Sequence, residues 1–253
     1  MNVPSSTLRR VFWRCLFLQA AWNRRGMQNL GFAYAIDPAL RRIYADPGAR
    51  SAALRRHLAT FNCHPYTAAA IVGGAIHHEE RVAAGEEPPG APLEYKQILQ
   101  GPLAAVGDGF FWAGLRPFFG ALAAVGTLAV GWPALVAALL AYNVLHLWLR
   151  WTLFRAGYRA GDEVVLRLAS LSLPAWSGRL RNGGVALAGV GLGILALLAT
   201  GRLGLAAGAV TLAAGAAGMV ALRGRARLLP TAYVAMAIGT VAGILATRSP
   251  GGH

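Results

Sequence analysis

The sequence predicts an all-α integral membrane protein with N-terminal amphipathic helices, a re-entrant helical segment and about five transmembrane helices. Three observations predict it. The 253 residues are 56% hydrophobic and only 13% charged, too apolar for an ordinary soluble domain. Thirty-two glycines crowd the apolar half, as close packing of membrane helices requires. The formal charge of +14 is almost wholly arginine, since Lys96 is the one lysine. It lies in clusters beside apolar stretches, which reads as membrane orientation and excludes a nucleic-acid partner. Cys15 and Cys63 have no metal-ligand spacing and read as buried thiols in a reducing compartment. Residues 11–21 are broken by Arg14 and carry no cleavage-site pattern, so no secretory signal is expected there.

Residues 1–61 form a first segment of amphipathic helices on the cytoplasmic face. Arg9, Arg10 and Arg14 alternate with Leu8, Val11, Phe12, Leu16 and Phe17, the pattern of a helix lying on an anionic leaflet or against a membrane partner. Asp37-Pro38 predicts a helix start with Pro38 at its first position. Asp46-Pro47-Gly48 reads as a turn, followed by a short helix to His57.

Residues 62–182 form the core. His64 precedes a proline, which pushes residues 62–65 toward a loop. Residues 66–76 are apolar but too few to cross a bilayer. A re-entrant or protein-buried helix follows, ending in His77-His78-Glu79-Glu80. The two carboxylates can face a polar cavity, end a solvated helix or touch a sister subunit. A zinc-protease pattern would need histidine where Val82 stands, so no metal site is expected.

Residues 101–117, GPLAAVGDGFFWAGLRP, open on a Gly-Pro break and place ionisable groups at the mouth of an apolar span. If the helix starts at Pro102, Asp108, Trp112 and Arg116 fall at i, i+4 and i+8 on one face. A carboxylate, an indole and a guanidinium so placed can hold a polyhydroxylated ligand. They serve equally as an internal salt bridge with an interfacial aromatic. A first span covers residues 110–131 and a second returns over 134–149. The second carries Asn143 and His146, read as an interhelical hydrogen bond or part of a polar pathway. The arginine-rich stretch 150–182 belongs inside by the positive-inside rule.

Residues 183–253 hold three apolar spans, near 183–201, 203–222 and 228–247, with few polar side chains. They read as packing scaffold. Five spans from a cytoplasmic N-terminus put the C-terminus outside and each basic cluster inside.

The motifs FNCHPYTAAAIVGGAIHHEE (61–80) and GPLAAVGDGFFWAGLRP (101–117) together resemble the IID membrane component of the mannose/fructose/sorbose-type sugar phosphotransferase system. QAAWNRRGMQNLGFAYAIDPALRRIY (19–44) is similar to that family's N-terminal block, and NVLHLWLRWTLFRAGYRAG (143–161) to its later region. The resemblance covers about residues 10–165. Beyond 183 it is one of hydropathy and order. Cys63 stands where the family usually has a small hydroxyl residue. His77-His78 replaces apolar or small residues, and the stretch near 170–185 is short.

The resemblance implies a subunit of the bacterial inner membrane, non-catalytic and without a phosphorylation site or cofactor of its own. With a IIC partner it would bind a hexose and carry it inward, within a higher oligomer in the lipid bilayer. The cytoplasmic phosphocarriers IIB and IIA would supply the phosphoryl group. Asn62, His64, Glu79, Glu80, Asp108 and Trp112 are then candidates for the sugar. Arg116, Asn143 and His146 are candidates for partner or structural contacts. A regulatory or scaffold descendant of the family, moving no sugar, is the alternative.

Overall fold

The computed structural model describes residues 3–223. The apolar stretch near 228–247 therefore lies outside the described residues. The described chain divides into two compact units, residues 3–120 with 136–183, and residues 121–135 with 184–223. Among the described residues all regular structure is helical. Two helical stretches among the described residues, Ala91–Val130 and Trp132–Leu203, are long and apolar enough to cross a membrane.

In the first unit, α1 (Ser5–Cys15) buries Val11, Phe12 and Cys15 and turns Arg9 and Arg10 outward. α2 runs over Asn29–Ile43 with Pro38 inside it, so the predicted start at Pro38 is corrected. A proline in a helix interior leaves the carbonyl four residues back without its N–H. That carbonyl belongs to Tyr34, and Arg14 Nη1 donates to it at 3.0 Å. Arg14 also reaches Asp37 at 3.5 Å. A long-range donor thus makes the interior proline tolerable. α3 (Pro47–His57) starts on Asp46, whose carboxylate accepts from Ala49 N–H at 2.6 Å, with Pro47 at the first position. The Asp-Pro-Gly turn is therefore this helix's N-terminus.

The sole lysine caps the other end of α3. Lys96 is wholly buried, and its Nζ donates to the carbonyls of His57 (3.0 Å) and Ala59 (3.3 Å). It also lies 4.5 Å from the Phe32 ring centre. A cation against the terminal carbonyls of a helix and an aromatic face is stabilised without a carboxylate.

α4 (Ala68–Ala83) is the centre of this unit, buried from Ala68 through Ile76. Gly73 and Gly157 let it meet α7 (Trp132–Ala160) backbone to backbone. A Cβ added at Gly73 would stand 2.2 Å from the Phe154 carbonyl oxygen, and one at Gly157 would stand 2.0 Å from that of Ala70. α5 (Ala91–Gly107) packs beside α4 and passes through Pro102 unbroken, so the expected Gly-Pro break does not occur. Leu99 and Leu103 hold its inner side in the core.

An eight-residue π-helix, Asp108–Leu115, follows α5 and leads into α6 (Arg116–Val130). After α7 come a 3₁₀ turn at Gly161–Glu163, α8 (Val164–Ser170) and α9 (Leu173–Leu203). At 29 and 31 residues, α7 and α9 are each over about 40 Å long. The second unit contains the end of α6, the distal part of α9 and α10 (Leu205–Arg223). There small residues set the packing: a Cβ on Gly191 would touch Val125 at 3.2 Å.

Candidate functional site

The π-helical turn is the local departure on which the site is built. Such helices are rare and appear mostly as single turns at functional positions. Here Arg116 N–H bonds the carbonyl of Phe111, five residues back. Ser177 Oγ donates to the Gly109 carbonyl at 2.5 Å and thereby fastens the wide turn from outside. Within it Phe110, Phe111, Gly114 and Leu115 are buried, whereas Asp108 and Trp112 are exposed. Arg116 is exposed at its end. All three residues of the expected stripe are thus exposed, although the winding over Asp108–Leu115 is π rather than the α on which that stripe was drawn. Neither Asp108 nor Arg116 forms an ion pair among the described residues, so they do not bridge to each other.

His64 meets this turn from the loop before α4. Its ring stacks on Phe111 at 5.2 Å and 11° and stands edge-on to Trp112 at 5.5 Å. Gly107 permits the approach, since a Cβ there would lie 2.4 Å from His64 Cβ. Tyr66 N–H donates to His64 Nδ1 at 3.2 Å, which leaves the ring proton on Nε2. That Nε2 is buried and has no partner among the described residues. Burial, with the Arg150 charge, holds the His64 pKa down at about 4, so the ring is neutral near pH 7.

The loop that carries His64 is held by side chains that sequence reasoning did not single out. Gln28 donates from Nε2 to the Cys63 carbonyl at 2.8 Å and accepts Cys63 N–H at 3.1 Å. It copies the pairing of a β-strand with one side chain. Gln100 accepts Asn62 N–H at 3.0 Å, and Thr67 Oγ1 donates to the Leu103 carbonyl at 2.8 Å. The only sequence signal was that Gln28 falls inside the N-terminal block. Asn62 itself is exposed. Burial pushes the Cys63 thiol up to about 12, which keeps it protonated and unreactive.

His146 joins the same cluster, stacked on Tyr66 at 4.6 Å and buried. Asn143 is exposed and donates to the Leu139 carbonyl of its own helix at 2.7 Å. Arg150 is buried, lies 5.6 Å from the Tyr66 ring centre and donates to the Cys15 carbonyl.

Glu79 and Glu80 stand at the far end of α4, roughly 17 Å of helix beyond Ala68, so the candidates form two groups. Glu79 is wholly buried. Arg56 grips it with Nε on Oε1 at 2.7 Å and Nη2 on Oε2 at 2.8 Å. Tyr44 OH donates to Oε2 at 2.7 Å, and His57 Nε2 contacts Oε1 at 2.8 Å. Four donors occupy the four lone-pair positions a carboxylate offers. Burial alone would raise the Glu79 pKa, but the bonds from His57 and Arg56 outweigh it and the pKa falls. Burial drives the pKa of His57 down, only partly offset by Glu79. Glu80 accepts Val3 N–H at 2.8 Å and Tyr158 OH at 3.1 Å. His78 Nδ1 contacts Glu87 at 2.8 Å, and His77 Nδ1 contacts the Tyr158 carbonyl at 3.1 Å. Among the described residues no three His, Cys, Asp or Glu side chains are grouped to hold a metal.

The family model described as "PTS system mannose/fructose/sorbose family IID component" matches residues 2–196. The chain belongs to this family. Among IID relatives, the mannose-specific EIID component of Escherichia coli (strain K12) is 39% identical over 166 residues, 65% of this chain and 59% of that protein. The fructose permease IID component of Bacillus subtilis (strain 168) is 35% identical over 164 residues, covering 63% and 58%. The chain thus spans about three fifths of the length of the curated IID proteins it matches. A solved structure of the mannose transporter ManYZ in complex with microcin E492 includes a chain with a TM-score of 0.61 and 30% identity, covering 96% of this chain and 97% of its own. A second, described as a membrane protein, gives a TM-score of 0.76 at 28% identity, covering 97% and 98%. The long apolar helices of this IID chain fit a membrane protein.

Proposed function

We propose that this chain is a IID subunit which, with a IIC partner, binds a hexose and carries it inward for phosphorylation by IIB. The observation that carries the reading is the joint between the π-helix and the His64 loop. There a buried N–H without an acceptor among the described residues adjoins an exposed indole and a nearby exposed carboxylate. A sugar offers what each lacks: a hydroxyl oxygen for His64 Nε2, hydroxyl donors for Asp108, and an apolar ring face for Trp112. Asn62 adds an exposed amide beside them. These contacts are few, which suits a carrier that must also release its cargo.

Glu79 and Glu80 take a different part in this reading. They tie α4 to the segment before α1, the end of α2, α3 and α7, and so brace the rod that presents the His64 loop. α4 is the re-entrant element, the N-terminus is cytoplasmic and the C-terminus outside. Arg116 and Asn143, both exposed, face the partner subunit, whereas His146 supports Tyr66. The likeness to a chain of the mannose transporter ManYZ supports a paired permease and a hexose as cargo.

The test is equilibrium sugar binding by the chain co-purified with its IIC partner. Asp108→Asn removes a charged acceptor and is expected to weaken binding about tenfold or more. Trp112→Ala should weaken it as well. Wild-type affinity in both variants would remove the π-helix from the site.

A further inference from the structure

Arg155 and Arg159 lie four residues apart on α7, below Trp148 and Trp151 on the same helix. Arg167 and Ser170 of α8 complete the wall of a cavity of about 380 Å³. Among the described residues no acidic side chain lines it. The three guanidinium groups are exposed, and none forms an ion pair among the described residues. Arg155 lies 5.9 Å from the Trp151 ring centre. One turn and more before the cavity, α7 turns Leu139, Leu140 and Val144 outward, and Trp148 is 59% exposed. The cavity therefore stands where an exposed apolar helix face gives way to a basic one. Headgroup phosphates of a bilayer lie at that boundary, with tryptophans at the same level.

We propose that this cavity binds the phosphate of an anionic phospholipid. Arg155, Arg159 and Arg167 donate to its oxygens, in the forked geometry that favours arginine over lysine for phosphate. Trp148 and Trp151 pack against the glycerol and the first methylenes of the chains. A soluble phosphate would satisfy the arginines alone. The exposed indole and the apolar face leading to it favour the lipid.

The test is native mass spectrometry of the full chain in detergent, titrated separately with phosphatidylglycerol, phosphatidylcholine and inorganic phosphate. Wild type should retain phosphatidylglycerol over phosphatidylcholine. Each Arg→Gln change should weaken retention about fivefold, and R155Q/R159Q/R167Q roughly a hundredfold. R155K/R159K/R167K keeps the charge but loses the forked contacts, so it should bind more weakly than wild type yet well above the glutamine variant, which separates loss of the site from loss of the fold. If the triple glutamine variant does not fold, R159Q alone gives the reading. Equal phosphatidylglycerol retention by wild type and the glutamine variants overturns the proposal. So does inorganic phosphate that displaces the lipid at the lipid's own concentration.

Discussion

Replacing Glu79 by glutamine separates a structural carboxylate from a sugar-binding one. Glu79 is wholly enclosed, and Arg56, with 16% of its side chain exposed, meets it through two bonds of 2.7 and 2.8 Å. Glutamine keeps the shape but turns one acceptor into a donor that faces Arg56 or Tyr44. The guanidinium loses its counter-charge in a site largely closed to water. Breaking one partner of a buried pair costs about 3–5 kcal/mol. For a chain of this size that corresponds to a fall in Tm of roughly 6 to 20 °C. The assay is thermal unfolding of the detergent-purified protein beside sugar binding at a temperature where it is folded. A large drop in Tm with near-normal affinity is the expected pair of results. A Glu79→Gln protein that melts with wild type and binds no sugar would refute the reasoning and return Glu79 to the sugar site.

Acid should act through the same cluster. Glu79 has a depressed pKa in the fold, so its contribution is present above its ordinary value of 4.5 and is lost as pH falls through the folded value. His57 is also depressed from 6.5, and as a base it binds protons more readily when unfolded, so stability starts to decline below that pH. Tm measured against pH should fall first below about 6.5 and again below 4.5, and the His57-linked decline should vanish in a His57→Gln variant. Gln28→Leu strips Cys63 of two buried partners and should cost about 2–4 kcal/mol, with faster amide exchange at residues 61–64 and weaker sugar binding. Gly157→Val would press a side chain into the Ala70 carbonyl and should cost more than about 3 kcal/mol, read as loss of folded protein on size exclusion.

The helical class, the N-terminal helices and the exposed side of the Asp108–Trp112–Arg116 stripe were legible because each depends on residues close in sequence. The start of α2 was not, because the donor that rescues the Tyr34 carbonyl comes from Arg14, twenty residues earlier. Likewise the continuity of α5 through Pro102 depends on Leu99 and Leu103 being packed in the core. The partners of Glu79 lie on α2's end and α3, between 22 and 35 residues away. A carboxylate after an apolar run looks the same in sequence whether it meets an arginine or a ligand. Winding of the π type is equally hidden, since Phe110, Phe111 and Leu115 fit the inner face of either helix. The buried orphan Nε2 of His64 emerges only once Gly107 and Phe111 are against it.

Enclosure of Lys96 has a practical side. The chain's one ε-amine is shut away beneath Phe32, so lysine-directed cross-linkers will not tether this subunit to a neighbour. Both native thiols are buried too. A cysteine introduced at exposed Ala113 would therefore be the protein's single accessible thiol, and a fluorophore there would report on the Trp112 face with almost no background.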